Sequence, residues 1–150
     1  MPSTPCTDGE LREAISSSGP YVGMSTQQDI ITISSSVPCR LYGYPTLQFG
    51  SPLHPVAITV QHNDAAPHQE PPRPVAVGTG TPASFLVETA AGPIAPDCKG
   101  TTLLTIGVPG SAPSISVSLA AMRGNQTGWD VCGPVEVTPF EQGNTLDQYA

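Results

Sequence analysis

The residues best suited to chemistry fall in three groups. The first is His54, His62 and His68, close together in the chain and accompanied by Asp64 and Glu70. Mixed imidazole and carboxylate ligands suit a divalent transition metal. No spacing here sets two of these histidines on one helical face, however, and decoration of a polar loop explains them as well. The second group is Asp97, Asp130 and Glu136, a carboxylate set of the kind that could serve glycoside hydrolysis. Acidic residues at strand ends are more commonly solvated. Serines are plentiful, but none sits in a Gly-x-Ser-x-Gly elbow, so an activated hydroxyl with a base and an orienting third group is not indicated.

Cys6, Cys39, Cys98 and Cys132 form the third group. Four cysteines in a short chain suggest two disulfides, and the count alone allows three pairings. Their spacing favours neighbours, Cys6 with Cys39 and Cys98 with Cys132, because this closes two non-crossing loops of similar length. Closing a loop of about 33 residues contributes roughly 3–4 kcal/mol in the chain-entropy model. Zinc is disfavoured, since no two cysteines lie within the short spacing of a structural knuckle. No cofactor is expected.

The elements that must hold these residues read as strands. Alternation with period two runs through Ile31 and Ile33; Val56, Ile58 and Val60; Val75 and Val77; and Phe85 and Val87. It continues through Leu104, Ile106 and Val108; Ile115, Val117 and Leu119; and Val135 and Val137. Such alternation puts one strand face in a core and the other in water. Turn chemistry at Gly50-Ser51-Pro52, Gly78-Thr79-Gly80 and Pro109-Gly110 separates the runs. The expected fold is all-β, an antiparallel immunoglobulin-like β-sandwich of about seven to nine strands with two disulfides and at most a short N-terminal helix. That helix is expected after the capping-box spacing Thr7-Asp8-Gly9-Glu10, with Leu11, Ala14 and Ile15 on one side; a brief strand from Glu13 to Ser17 is the alternative. Trp129 sits only three residues before Cys132 and far beyond Cys98, so the tryptophan spacing of a true immunoglobulin domain is not met.

One domain is expected over residues 6–140, with a disordered stub at 1–5 and a tail at 141–150. The Pro-rich segment from Asn63 to Pro74 reads as an insertion between two strands, and Asp64, His68, Glu70 and Arg73 make it a candidate interaction loop. Prolines restrict its conformations and so reduce the ordering cost of docking. Tyr42, Tyr44 and Trp129 could form an aromatic platform, although aromatics beside disulfides commonly pack over them.

Twelve acidic residues against five basic ones give a net charge of −7, and the basic residues are scattered. A nucleic-acid partner is excluded on that balance, as is a polybasic membrane anchor. No apolar run approaches the length of about 18 residues that a membrane helix needs. The chain lacks a charged start followed by an apolar stretch, so an export signal is expected to lie outside it.

The order of landmarks resembles a known family. Cys6 is followed by Leu11, then by Cys39-Arg40-Leu41-Tyr42-Gly43-Tyr44-Pro45, a strand-turn-strand unit (Val75-Ala76-Val77, Gly78-Thr79-Gly80, Ala83-Ser84-Phe85), Cys98, a Leu-rich strand ending at Pro109, and Cys132-Gly133. This is similar to a domain-of-unknown-function family of actinobacterial secreted proteins and lipoproteins, marked by a Cys-x-Leu-x-Gly-Tyr-Pro signature. The resemblance covers roughly residues 6–140. It implies a β-sandwich, an extracytoplasmic location, either secreted or lipid-anchored to the cell envelope, and the same neighbour pairing of cysteines. It implies no activity. Leu41, Gly43, Tyr44 and Pro45 are expected to be structural: an inward contact, a bend and an end to strand pairing. Ser34-Ser35-Ser36 departs from the Asn or Gly such members carry before the signature cysteine.

The functional expectation is a non-catalytic exported domain that binds an envelope protein or a cell-wall component. A lipid or lipoglycan carrier and a hydrolase with an unrecognised site are the rivals. Oligomeric state is not legible in the sequence.

Overall fold

The β-branched and aromatic residues of this chain, set between Gly and Pro turns, build strands, and among the described residues the regular elements are strands apart from one 3-10 turn. The computed structural model describes residues 4–18, 26–50, 53, 55–62, 71–90, 98–100, 103–109, 115–118 and 130–143. A 3-10 turn at Asp8–Glu10 precedes β1 (Leu11–Ser18), β2 (Thr26–Ser35), β3 (Cys39–Leu41), β4 (Thr46–Gly50), β5 (Pro55–Val56) and β6 (Val60–His62). Then follow β7 (Val75–Val77), β8 (Ala83–Ala90), β9 (Cys98–Gly100), β10 (Leu103–Gly107), β11 (Ile115–Ser118), β12 (Asp130–Val137) and β13 (Glu141–Gln142).

These strands form three sheets. The largest has seven strands, in the order β1-β2-β8-β12-β6, with β13 also on β8 and β9 also on β12. The second is β11-β10-β4-β5, and the third is the pair β3-β7. Their inner faces share one core: Ile31, Ile33, Phe85 and Val135 from the first sheet, Phe49, Leu104, Ile106 and Val117 from the second, and Cys39, Leu41, Val75 and Val77 from the third. Phe85 and Phe140 meet edge to face there, with ring centroids 5.4 Å apart.

Four expectations need correction. The stretch at Leu11, Ala14 and Ile15 is not a helix. Glu10 does accept the Thr7 amide N–H through Oε1 at 3.0 Å, so the capping spacing works, but it closes a single 3-10 turn. The chain then enters β1, whose register slips between Glu13 and Ile15. That bulge breaks the alternation and leaves apolar residues at a spacing that mimics a helix.

The expected single run through Val56, Ile58 and Val60 is divided between β5 and β6, in different sheets. The alternation still shows in burial across the change of partner, with Val56, Ile58 and Val60 half-buried and Ala57 and Thr59 exposed. Nor is the fold wholly antiparallel, because β6 pairs with β12 in parallel through Val60 with Val135 and His62 with Val137. Among the described residues there are thirteen strands rather than seven to nine, several of only two or three residues.

β8 is buried on both faces. Phe85 and Val87 enter the main core, while Leu86 pairs in register with Ile30 as a second buried cluster on the opposite face. A polar line extends that face, where the hydroxyls of Thr32 and Ser84 are 3.1 Å apart and Ser84 donates to the Gly143 carbonyl at 2.6 Å. Between β12 and β13, Thr138 interrupts the ladder. Its own amide donates to the Leu86 carbonyl, and its Oγ1 accepts the Leu86 N–H at 2.8 Å in place of a backbone carbonyl.

Candidate functional site

The expected first disulfide is present, joining Cys6 to Cys39 with both cysteines buried. It fastens the N-terminal segment to β3. On that side of β3 the Arg40 amide donates to the Thr4 carbonyl at 2.8 Å, and the Cys6 amide donates to the Arg40 carbonyl at 2.9 Å. Thr4 and Pro5, read from the sequence as a stub, therefore extend the β3-β7 pair. Ser35 shapes the approach. Its hydroxyl donates to the Val37 carbonyl at 2.6 Å and lies 3.4 Å from Cys39 Sγ, which is how a serine serves a turn expected to favour Asn or Gly.

After β3 the chain bends sharply. Leu41 is buried, Gly43 has φ of 110°, and Pro45 is buried. A side chain at Gly43 would meet only ordinary contact with Pro109, at 3.7 Å, so the backbone conformation is what calls for glycine. The Phe140 amide donates to the Gly43 carbonyl at 3.0 Å and holds the bend against the end of the last long strand.

The bend separates the two signature tyrosines. Tyr42 is 59% exposed, whereas Tyr44 is half-buried against the core rim. The imidazole of His62, at the end of β6, stacks on the Tyr44 ring with centroids 3.7 Å apart and planes 6° from parallel. Of the platform expected from Tyr42, Tyr44 and Trp129, only the first two are described, and one is exposed while the other is half-buried under His62.

The same bend gathers both ends of the Pro-rich segment. His62 precedes it and is stacked on Tyr44. At the other end the register Leu41 with Val75 places Pro74 one step beyond the ladder, level with Tyr42. Arg73 is exposed at this end. Asp64, His68 and Glu70 lie outside the described residues, as do His54, Asp97 and Trp129. In the expected carboxylate set, Glu136 is half-buried and paired in register with Glu88. Among the described residues, no group of three His, Cys, Asp or Glu side chains could hold a metal ion.

Cys98 in β9 stands directly opposite Cys132 in β12 in an antiparallel register. The bond expected between them falls outside what is described.

Sequence reading missed the solvent face of β3. Pro38, Arg40 and Tyr42 alternate with the inward Cys39 and Leu41, and β7 sets Ala76 beside Arg40. The period-two signal was legible in Pro38-x-Arg40-x-Tyr42, but a strand this short offers too few repeats to stand out.

A family model described as a domain of unknown function (DUF4232) matches residues 6–141. No curated protein and no solved structure matches the chain.

Proposed function

We propose that this chain, which belongs to the DUF4232 family, is a non-catalytic binding module of the cell exterior. Its working surface is the signature bend, with Tyr42 and the segment 63–74 that starts and ends there. The observation that carries this reading is the placement of Tyr42. In a fold that buries Phe49, Phe85 and Phe140, this aromatic ring stands in solvent on a backbone fixed by a buried disulfide, a glycine bend and two strand partners. An amphipathic ring held on a rigid base is a low-entropy contact for a partner.

A disulfide buried in the core fits an oxidising compartment, secreted or anchored at the envelope, and the three sheets around one core fit a sandwich architecture. The partner class is an envelope protein or a cell-wall component.

Replacement of residues 63–74 with a Gly-Ser linker of equal length, and separately Tyr42→Ala, are each expected to abolish capture of partners from envelope extract, with the fold verified by circular dichroism. An unchanged set of captured partners for both variants would remove this reading.

A further inference from the structure

We infer that the solvent face of the β3-β7 pair binds an extended polypeptide segment through one of its carboxylates, with Arg40 as the recognition residue. This rests on the binding-module reading above and names the chemistry of the partner.

The face is small and its composition unusual. Arg40 lines it from β3 with Pro38 and Tyr42 at the strand's two ends, Ala76 and the adjoining Pro74 line it from β7, and Pro5 lies beside Arg40 on the other flank. Pro5, Pro38, Pro74 and Tyr42 are exposed. Arg40 is the one charged residue among these six. It is half-buried, and among the described residues its guanidinium has neither a hydrogen-bond nor an ion-pair partner. In a chain carrying a net charge of −7, acidic groups to satisfy an arginine are abundant, yet none of the described ones is placed on this one. An arginine partly shielded from water is a good carboxylate receptor, because its planar fork matches two carboxylate oxygens at once.

Charge complementarity at this face is local. At physiological ionic strength charges beyond about 8 Å are largely screened, so the overall acidity of the chain weighs little against a carboxylate in direct contact with Arg40. Geometry favours a polypeptide over a compact anion. Arg40 lies in β3 and Tyr42 just past its end, two residues on across the strand residue Leu41, hence about 7 Å, and an extended partner repeats its side chains at that same interval. A carboxylate at one position then meets Arg40 while the residue two further on meets the Tyr42 ring.

The test uses the full chain, isotopically labelled, and the capped peptide Ala-Glu-Ala-Pro-Ala at physiological ionic strength. Amide shifts on titration are expected to concentrate at residues 38–42 and 74–78. The Gln analogue of the peptide, and the Arg40→Gln protein, are each expected to weaken binding about tenfold, a loss of one charge-assisted contact. Arg40→Lys is expected to recover part of it, and Arg40→Glu to favour a Lys peptide over the Glu peptide. Equal binding of the Glu and Gln peptides, or displacement by equimolar inorganic phosphate, would overturn the inference. If Arg40→Gln leaves capture from envelope extract intact while Tyr42→Ala abolishes it, the carboxylate assignment fails and the binding-module reading stands.

Discussion

His62 lies flat on Tyr44, 3.7 Å between ring centroids, and so joins a residue of the signature to the last residue of β6. The contact does two things at once. It covers one face of a half-buried tyrosine at the core rim, and it fixes the point from which the Pro-rich segment departs.

That stack is expected to be measurable as a pairwise coupling. In a double-mutant cycle, Tyr44→Ala and His62→Ala should show an interaction of about 0.5–1.5 kcal/mol beyond their separate effects on denaturant stability. Strict additivity would mean that the rings touch without stabilising one another.

Gly43→Ala is expected to destabilise the protein by about 1–3 kcal/mol, the cost of a side chain at a backbone angle that L-residues rarely adopt. Space is not the obstacle, since Pro109 leaves room for a methyl group. Gly43→Ser, with a similarly small side chain, should therefore cost about as much, and chemical denaturation of both variants checks the point.

Thr138→Val keeps the shape of the side chain and removes its oxygen. The Leu86 N–H would then be buried without an acceptor, and a loss of about 1–3 kcal/mol is expected. Thr138→Ser retains the hydroxyl and should lose less. Amide hydrogen exchange at Leu86, faster in the valine variant and slow in the serine variant, would assign the effect to this bond.

Nonreducing peptide mapping is expected to find Cys98 joined to Cys132 beside the Cys6–Cys39 bond. Residues directly opposite on adjacent antiparallel strands have Cα atoms about 4.5–5.5 Å apart, within the range a disulfide spans. A peptide linking Cys98 to Cys6 or Cys39, or two unmodified thiols in the native protein, would contradict it.

What the sequence made legible follows from how far each signal reaches. Period-two alternation marked β2, β7, β8, β10, β11 and the end of β12, because each buries a regular face over several residues. The spacing of Cys6 and Cys39 was enough to pair them. The bulge in β1 left a strand over Glu13 to Ser17 only as the alternative to a helix, and β4 was hidden by a pattern in which only Phe49 and Gly50 are fully buried. The parallel pairing of β6 with β12 left no local mark, since strand direction is set by partners distant in the chain. Nor could alternation show that Leu86 and Ile30 are buried on the far face of their sheet. At the candidate site, Tyr42 and Tyr44 were singled out together, but only the positive φ of Gly43 explains why one is exposed and the other lies beneath His62.

A further stitch lies where the β3-β7 pair meets the large sheet. The carboxamide of Gln142 accepts the Ala76 N–H at 3.0 Å and donates to the Ala76 carbonyl at 2.7 Å, behaving as a strand one residue long, and it donates again to the Pro82 carbonyl at 3.2 Å. Two roles follow from the chemistry of an amide. It occupies the backbone groups through which a stray chain would otherwise graft onto β7. And because it carries no charge, the seam between the two sheets holds equally in dilute and concentrated salt and in mild acid or base, an insensitivity to its surroundings that an ion pair in the same place would lack.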